Sequence, residues 1–206
     1  MIRAKFDESQ VCIISQDDYY RPIEEQKKDH VGIENFDLPE SINNDAFLDD
    51  IQLLMNGQTV EKEEYMFNNL NATPSMRYFC PAPIIVVEGI FVFYFEEIKA
   101  LLDLKVFIHA KDILKVIRRI KRDEKERNYP LDDVLHRFEY HVMSTYERYI
   151  EPYKEEVDIV INNNDDLGGG VIVFEGFLRQ QLQQYKTSTQ PESDTIWDIG
   201  YVCFWC

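Results

Sequence analysis

Residues 84–88 read Ile-Ile-Val-Val-Glu, an unbroken β-branched run closed by Glu88-Gly89. A strand that is apolar at every position cannot turn one face to water, so it must be covered on both. Three more runs follow the same rule with one interruption at most: Val11-Cys-Ile-Ile-Ser15, Leu104-Lys-Val-Phe-Ile108 and Val157-Asp-Ile-Val-Ile161. Helical periodicity fills the intervals, at 43–55, 94–102, 111–127, 131–151 and 175–186. It is clearest in 131–151, where Leu131, Val134, Leu135, Phe138, Val142, Tyr149 and Ile150 recur at helical spacing. Pro130 stands at its start, where a missing N–H costs little, and Pro152 marks its exit. Doubly buried strands alternating with helices predict an α/β domain with a parallel sheet and right-handed crossovers.

Two stretches break the alternation. Residues 56–83 carry short β-type runs at 59–62, 65–67 and 76–79 with turn residues between, which predicts a small antiparallel flap. Residues 187–206 start polar and end with Trp197, Tyr201, Phe204 and Trp205, a tail expected to order only where something covers those rings. The α/β domain is therefore assigned to 1–186 and the tail to 187–206. Gly168-Gly-Gly170 reads as a flexible linker.

The 206 residues carry 38 acidic and 22 basic side chains, a net charge of -16. Duplex DNA and anionic membranes need clustered positive charge, so neither is expected as a partner. No apolar run approaches the roughly 18 residues that would span a bilayer, and the first residues lack the apolar stretch of a signal peptide. Cys12 and Cys80 sit in apolar surroundings and read as buried and reduced. Cys203 and Cys206 form a C-x-x-C with no second pair to complete a zinc tetrahedron. A cytoplasmic protein is the expectation. His30, His109, His136 and His141 fall at no metal-ligand spacing, since His136 and His141 are five apart, so they read as ordinary histidines.

Chemistry is concentrated in three places. Ser15-Gln-Asp-Asp-Tyr-Tyr-Arg-Pro22 follows the first strand directly, and ligands of open parallel sheets bind outside the carboxyl ends of strands. Asp17 there can accept a proton from a substrate hydroxyl, or Asp18 can simply be a turn residue. Glu88 ends a second strand and can hold Mg²⁺ directly or through water, or cap a neighbouring loop. Residues 111–127 hold eight basic and four acidic residues. Such a guanidinium cluster suits a polyphosphate, although a solvated helix face has the same composition.

In this order the motifs resemble the uridine kinase and phosphoribulokinase family of P-loop kinases, over about residues 5–182. Ser15-Gln-Asp-Asp-Tyr-Tyr-Arg21 resembles its acidic substrate motif, and Asn35-Phe-Asp37 with Pro39 its N-F-D-x-P segment. Glu64-Tyr-Met-Phe67 stands where its Y-x-F flap does, and Pro83-Ile-Ile-Val-Val-Glu-Gly-Ile90 resembles its P-x-x-x-x-E-G strand. Arg118-Arg119, Arg122-Asp123 and Glu126-Arg127 are similar to its R-R…R-D-x-x-E-R lid, at about 118–130. Ile150-Glu-Pro-Tyr-Lys154 and the strand at 157–161 complete the match. The resemblance implies Mg²⁺-dependent transfer of the ATP γ-phosphoryl to a nucleoside 5′-hydroxyl, uridine or cytidine, in pyrimidine salvage. It makes Asp17 the base and a magnesium-sphere group with Glu88. Tyr20, Asp37, Tyr65 and Arg119 would hold the nucleoside, and Arg122 and Arg127 the phosphates. A homo-oligomer is also consistent with it.

The departures are specific. Asn128-Tyr129 replaces the second half of the family's E-R-G-R lid, and Asn68-Asn-Leu-Asn71 stands where a flap His is expected. The family's opening strand and G-x-x-x-x-G-K-[ST] loop, which cradles the phosphates, have no counterpart in the 206 residues. In this fold that strand lies between those at 84–88 and 104–108. Without it the sheet must close up, recruit another strand (the aromatic tail is one substitute) or remain marginal. Three readings follow: a nucleoside kinase impaired by the lost loop, a non-catalytic nucleoside-binding or regulatory relative, and a kinase of another small alcohol.

Overall fold

All four apolar runs become strands, and all pair in parallel. The computed structural model describes residues 2–66, 73–126, 130–165, 168–188 and 197–202, the backbone alone for 124–126, 188 and 197–202. The chain runs β1 (Val11–Ser15), α1 (Asn44–Met55), β2 (Val60–Glu63), β3 (Met76–Phe79), β4 (Ile84–Glu88), α2 (Glu96–Lys99) and β5 (Leu104–His109). It continues through α3 (Asp112–Glu126), α4 (Leu131–Arg137), α5 (Met143–Tyr149), β6 (Ile159–Asn162), α6 (Gly168–Ser188) and β7 (Trp197–Val202). Five strands form one sheet in the order β1-β4-β7-β5-β6, and β2 pairs antiparallel with β3 as a separate ribbon.

The strand alternation sorts side chains to two faces. Ile84 and Val86 join Val11 and Val106 under Phe174, Leu178 and Leu182 of α6. Ile85 and Val87 join Cys12, Ile14 and Phe107 on the other face, against Phe47, Ile51 and Leu54 of α1 and Tyr146 of α5. The result is three layers, helix–sheet–helix. Each Ile or Val buried this way contributes about 1.5–3 kcal/mol.

The tail set apart in sequence supplies the sheet's central strand. β7 pairs in parallel with β4, Ile84 opposite Trp197 through Glu88 opposite Tyr201. On its other side it pairs in parallel with β5, Leu104 opposite Ile199 through Phe107 opposite Val202. Of the three outcomes open to the sheet, recruitment of the tail is the one seen.

Several elements differ from the sequence expectation. The helix predicted over 94–102 shrinks to the single turn of α2, whose Ile98 is its buried residue. The single helix at 131–151 is interrupted by a π-helical segment, Phe138–Val142. The strand predicted from Val157 starts at Ile159, because Asp158 turns back to cap the Lys105 N–H at 2.7 Å. α6 begins seven residues before its predicted start, so Gly168-Gly-Gly170 is its first turn rather than a linker. The reason is proximity: a Cβ on Gly170 would lie 2.2 Å from Cγ2 of Ile161. In the flap, Tyr65 lies beyond β2 in irregular backbone, and Phe67 falls outside the described residues. No helix among the described residues is long and apolar enough to cross a membrane.

Candidate active site

β1 and β4 deliver their last residues to one sheet edge, with Ser15 opposite Glu88. Ser15 Oγ accepts the Asp17 N–H at 3.2 Å and starts a 3₁₀ turn, Gln16–Tyr19. That turn leaves Asp17 exposed and rotates Asp18 into the protein. Buried Gln16 accepts the Phe91 N–H through Oε1 at 2.9 Å and passes directly over Gly89. A Cβ on Gly89 would lie 2.3 Å from the Gln16 Cβ, so the Glu88-Gly89 corner requires glycine.

Burial pushes the Glu88 carboxyl above its ordinary range and the Asp17 charge adds to the rise, while the Ser15 hydrogen bond opposes it. The folded state therefore holds this proton more tightly than the unfolded chain does. Stability from this group declines as pH climbs from the ordinary glutamate value of about 4.3 through the raised folded value. Glu88→Gln removes the charge and should melt higher than the parent near pH 7, the gap closing in acid. Thermal melts at the two pH values check this; a variant less stable at pH 7 refutes it.

Asp37 and Arg119 meet across 82 positions of sequence. Asp37 is buried, its N–H donates to Asn35 Oδ1 at 2.9 Å, and its carbonyl accepts the Thr145 hydroxyl. Arg119 Nη1 and Nη2 lie 3.3 and 3.4 Å from the two Asp37 carboxylate oxygens, and its Nε lies 3.2 Å from Asp123 Oδ2. Arg122 donates twice to Asp123 Oδ1, at 3.0 and 2.9 Å. Two further cations of α3 are engaged elsewhere. Arg118 reaches the carbonyls of Asn163 and Asn164, and Lys115 pairs with Asp112 while lying 3.3 Å over the Tyr146 ring. Arg127 lies outside the described residues, as do Asn68–71 and Asn128-Tyr129.

Tyr20 forms an aromatic wall with Phe36 at 6.0 Å and Tyr65 at 5.5 Å between ring centroids. The Tyr65 hydroxyl donates to the Arg21 carbonyl at 3.5 Å. The sequence reading missed what ties the flap to this wall. Asp18 pairs with Arg77 of β3 at 2.8 Å, and Arg77 also binds Glu64. Burial raises the Asp18 carboxyl and the Arg77 charge only partly offsets it. No spacing marks Arg77 as a partner, 59 positions away. A cavity of about 320 Å³ is lined by Arg3, Cys12 and the same Arg77. Its Cys12 thiol is pushed up to about 12 by burial, whereas Cys80, read as buried, is exposed.

The sheet thus brings Asp17 and Glu88 to one edge, α3 brings Arg119 and Arg122 to Asp37 and Asp123, and the flap brings Tyr65 to Tyr20. A family model described as the phosphoribulokinase / uridine kinase family matches residues 4–167. The uridine kinase of Borrelia duttonii is 31% identical over 171 residues, 83% of this chain and 82% of that protein. The uridine kinase of Clostridium botulinum is 33% identical over 76% of each chain. Uridine kinase-like protein 5 of Arabidopsis thaliana is 27% identical over 90% of this chain and 40% of its own length. With its parallel sheet and strand-end carboxylates already in place, the chain belongs to the phosphoribulokinase / uridine kinase family.

Proposed function

We propose that the chain is a uridine kinase-type protein whose acceptor pocket takes a pyrimidine nucleoside, and whose phosphate-donor half is impaired in the 206-residue sequence. The observation that carries this reading is the Asp37–Arg119 pair together with the Tyr20–Tyr65 wall, which Phe36, the neighbour of Asp37, joins through Tyr20. A carboxylate held two-pronged by a guanidinium keeps lone pairs free for a ribose diol. The tyrosine rings offer a face to a nucleobase, and exposed Asp17 can accept the proton of a 5′-hydroxyl.

Two groups are implied by the family. Magnesium takes hard oxygen donors, and Glu88 with Asp17 at one edge fits it, the ion supplying charge neutralisation when bound. The residues present do not fit the triphosphate of ATP. No G-x-x-x-x-G-K-[ST] run occurs in the 206 residues, β7 fills the position between β4 and β5, and Arg118, Arg119 and Arg122 already hold protein oxygens. No transfer step is therefore assigned to the chain as written.

The test is phosphotransfer to uridine and cytidine by the 206-residue chain and by a version preceded by a strand and glycine-rich loop. Turnover below detection in the first and a rise of about 10³ or more in the second are expected. No turnover in either sinks the kinase reading. The filled central position favours one other reading, a nucleoside-binding protein without catalysis. Calorimetry with uridine alone should show binding under both readings, and none at millimolar ligand removes both.

A further inference from the structure

Two histidines five residues apart would point about 140° away from each other on a regular α-helix. His136 and His141 do not, because the segment Phe138–Val142 between α4 and α5 is π-helical, its Met143 N–H donating to the Phe138 carbonyl. The wider turn brings both imidazoles to one side, with ring centroids 5.9 Å apart. Opposite them stands Asp29, held by a tight turn. Its Oδ1 accepts the Val31 and Ile33 N–H groups at 3.0 and 2.9 Å, and Gly32 completes the turn at φ +91°. That leaves Oδ2, which meets His136 Nε2 at 2.8 Å and His141 Nε2 at 2.9 Å.

We propose that Asp29, His136 and His141 form a binding site for a transition-metal dication of the zinc class, separate from the magnesium site of the family. One oxygen and two imidazole nitrogens lie within 4.8 Å of one another, so small rotations bring them around one ion. Two nitrogens and one carboxylate oxygen suit Zn²⁺, Co²⁺ or Ni²⁺, whereas Mg²⁺ asks for oxygen alone. His30 faces His136 at 6.0 Å on the open side, so a water or that imidazole takes the fourth position.

Coordination through Nε2 places the His141 proton on Nδ1, a buried nitrogen with no hydrogen-bond partner among the described residues. The Asp29 turn is already oriented by two backbone amides, the arrangement that raises metal affinity by fixing a ligand before the ion arrives. An ion here would clasp the loop at 27–37, which ends in Asp37, to the α4–α5 pair.

Chelator-treated full chain titrated with Zn²⁺ by calorimetry, and with Co²⁺ by visible d–d absorption, tests the site. One equivalent should bind with a micromolar or lower Kd, and His136→Gln and Asp29→Asn should each weaken it by about 100-fold. Far-UV circular dichroism verifies that both variants fold. The binding must survive Cys203→Ser with Cys206→Ser, which removes the tail thiols. Absence of binding below about 100 μM, an affinity that His136→Gln and Asp29→Asn leave within about threefold, or loss with the tail cysteines overturns the proposal.

Discussion

Ending the chain after α6 should abolish cooperative folding. The deletion removes β7, which is hydrogen-bonded on both sides: five register positions to β4 and four to β5. Without it the facing edges of β4 and β5 stand about 9–10 Å apart, twice the spacing at which strands pair. Those edges are deep in the protein, since Ile84, Ile85, Val106 and Phe107 are fully buried. Each backbone group left there without a partner costs about 1–3 kcal/mol, so a handful consumes the 5–15 kcal/mol that a domain of this kind has. Thermal denaturation of the 1–188 chain, followed by circular dichroism, should show a broad, shallow transition. A sharp melt within a few degrees of the full chain would falsify the role given to β7. A second measurement separates the strand from its sequence: 1–188 preceded by an N-terminal strand and loop should regain a sharp melt, because one position needs one strand, whichever end supplies it.

The parallel strands were legible because a strand buried on both faces leaves only one kind of pattern, and Ile84 to Val87 follow it without exception. The place of β7 was not. A central parallel strand is located by its crossover and neighbours, and nothing in residues 197–202 names β4 and β5; the sequence could offer the tail only as one substitute among three outcomes. The strand-end carboxylates were legible for the same reason as the strands, because position in a parallel sheet fixes which edge a terminal residue occupies. Asp37 and Arg119 could each be named from the family's motifs, but not their contact, which is made by α3 folding over a loop 82 residues away. That His136 and His141 converge on Asp29 was not legible, because α-helical spacing does not hold in a segment that winds as a π-helix. Gly168-Gly-Gly170 was misread as well, since glycine signals a close approach as readily as a flexible joint, and Ile161 is what it approaches.

Arg119→Ala is the point substitution expected to cost most, about 3–5 kcal/mol. The guanidinium is 5% exposed and stands between two carboxylates, Asp37 at 11% and Asp123 at 1%. Removing it does not simply delete two ion pairs; it leaves buried negative charges facing one another. Asp123 retains the two hydrogen bonds from Arg122, so most of the damage falls on Asp37. Arg119→Lys should recover little, because a single ammonium cannot span both Asp37 oxygens and Asp123 together. Arg122→Ala is the matched control, its side chain 21% exposed and bound to Asp123, which Arg119 also holds, and it should cost clearly less. Urea denaturation of the three variants measures these differences, and Arg119→Ala within 1 kcal/mol of the parent would refute the argument. Asp37→Asn separates the fold from the pocket. The amide oxygen keeps one bond to Arg119 and the buried charge disappears, so the chain stays folded, while a ribose diol loses its charged acceptor. Uridine affinity should then fall by about tenfold, the difference between a charge-assisted and a neutral hydrogen bond. If Asp37→Asn folds and binds uridine as tightly as the parent, Asp37 serves the fold alone and the nucleoside sits elsewhere.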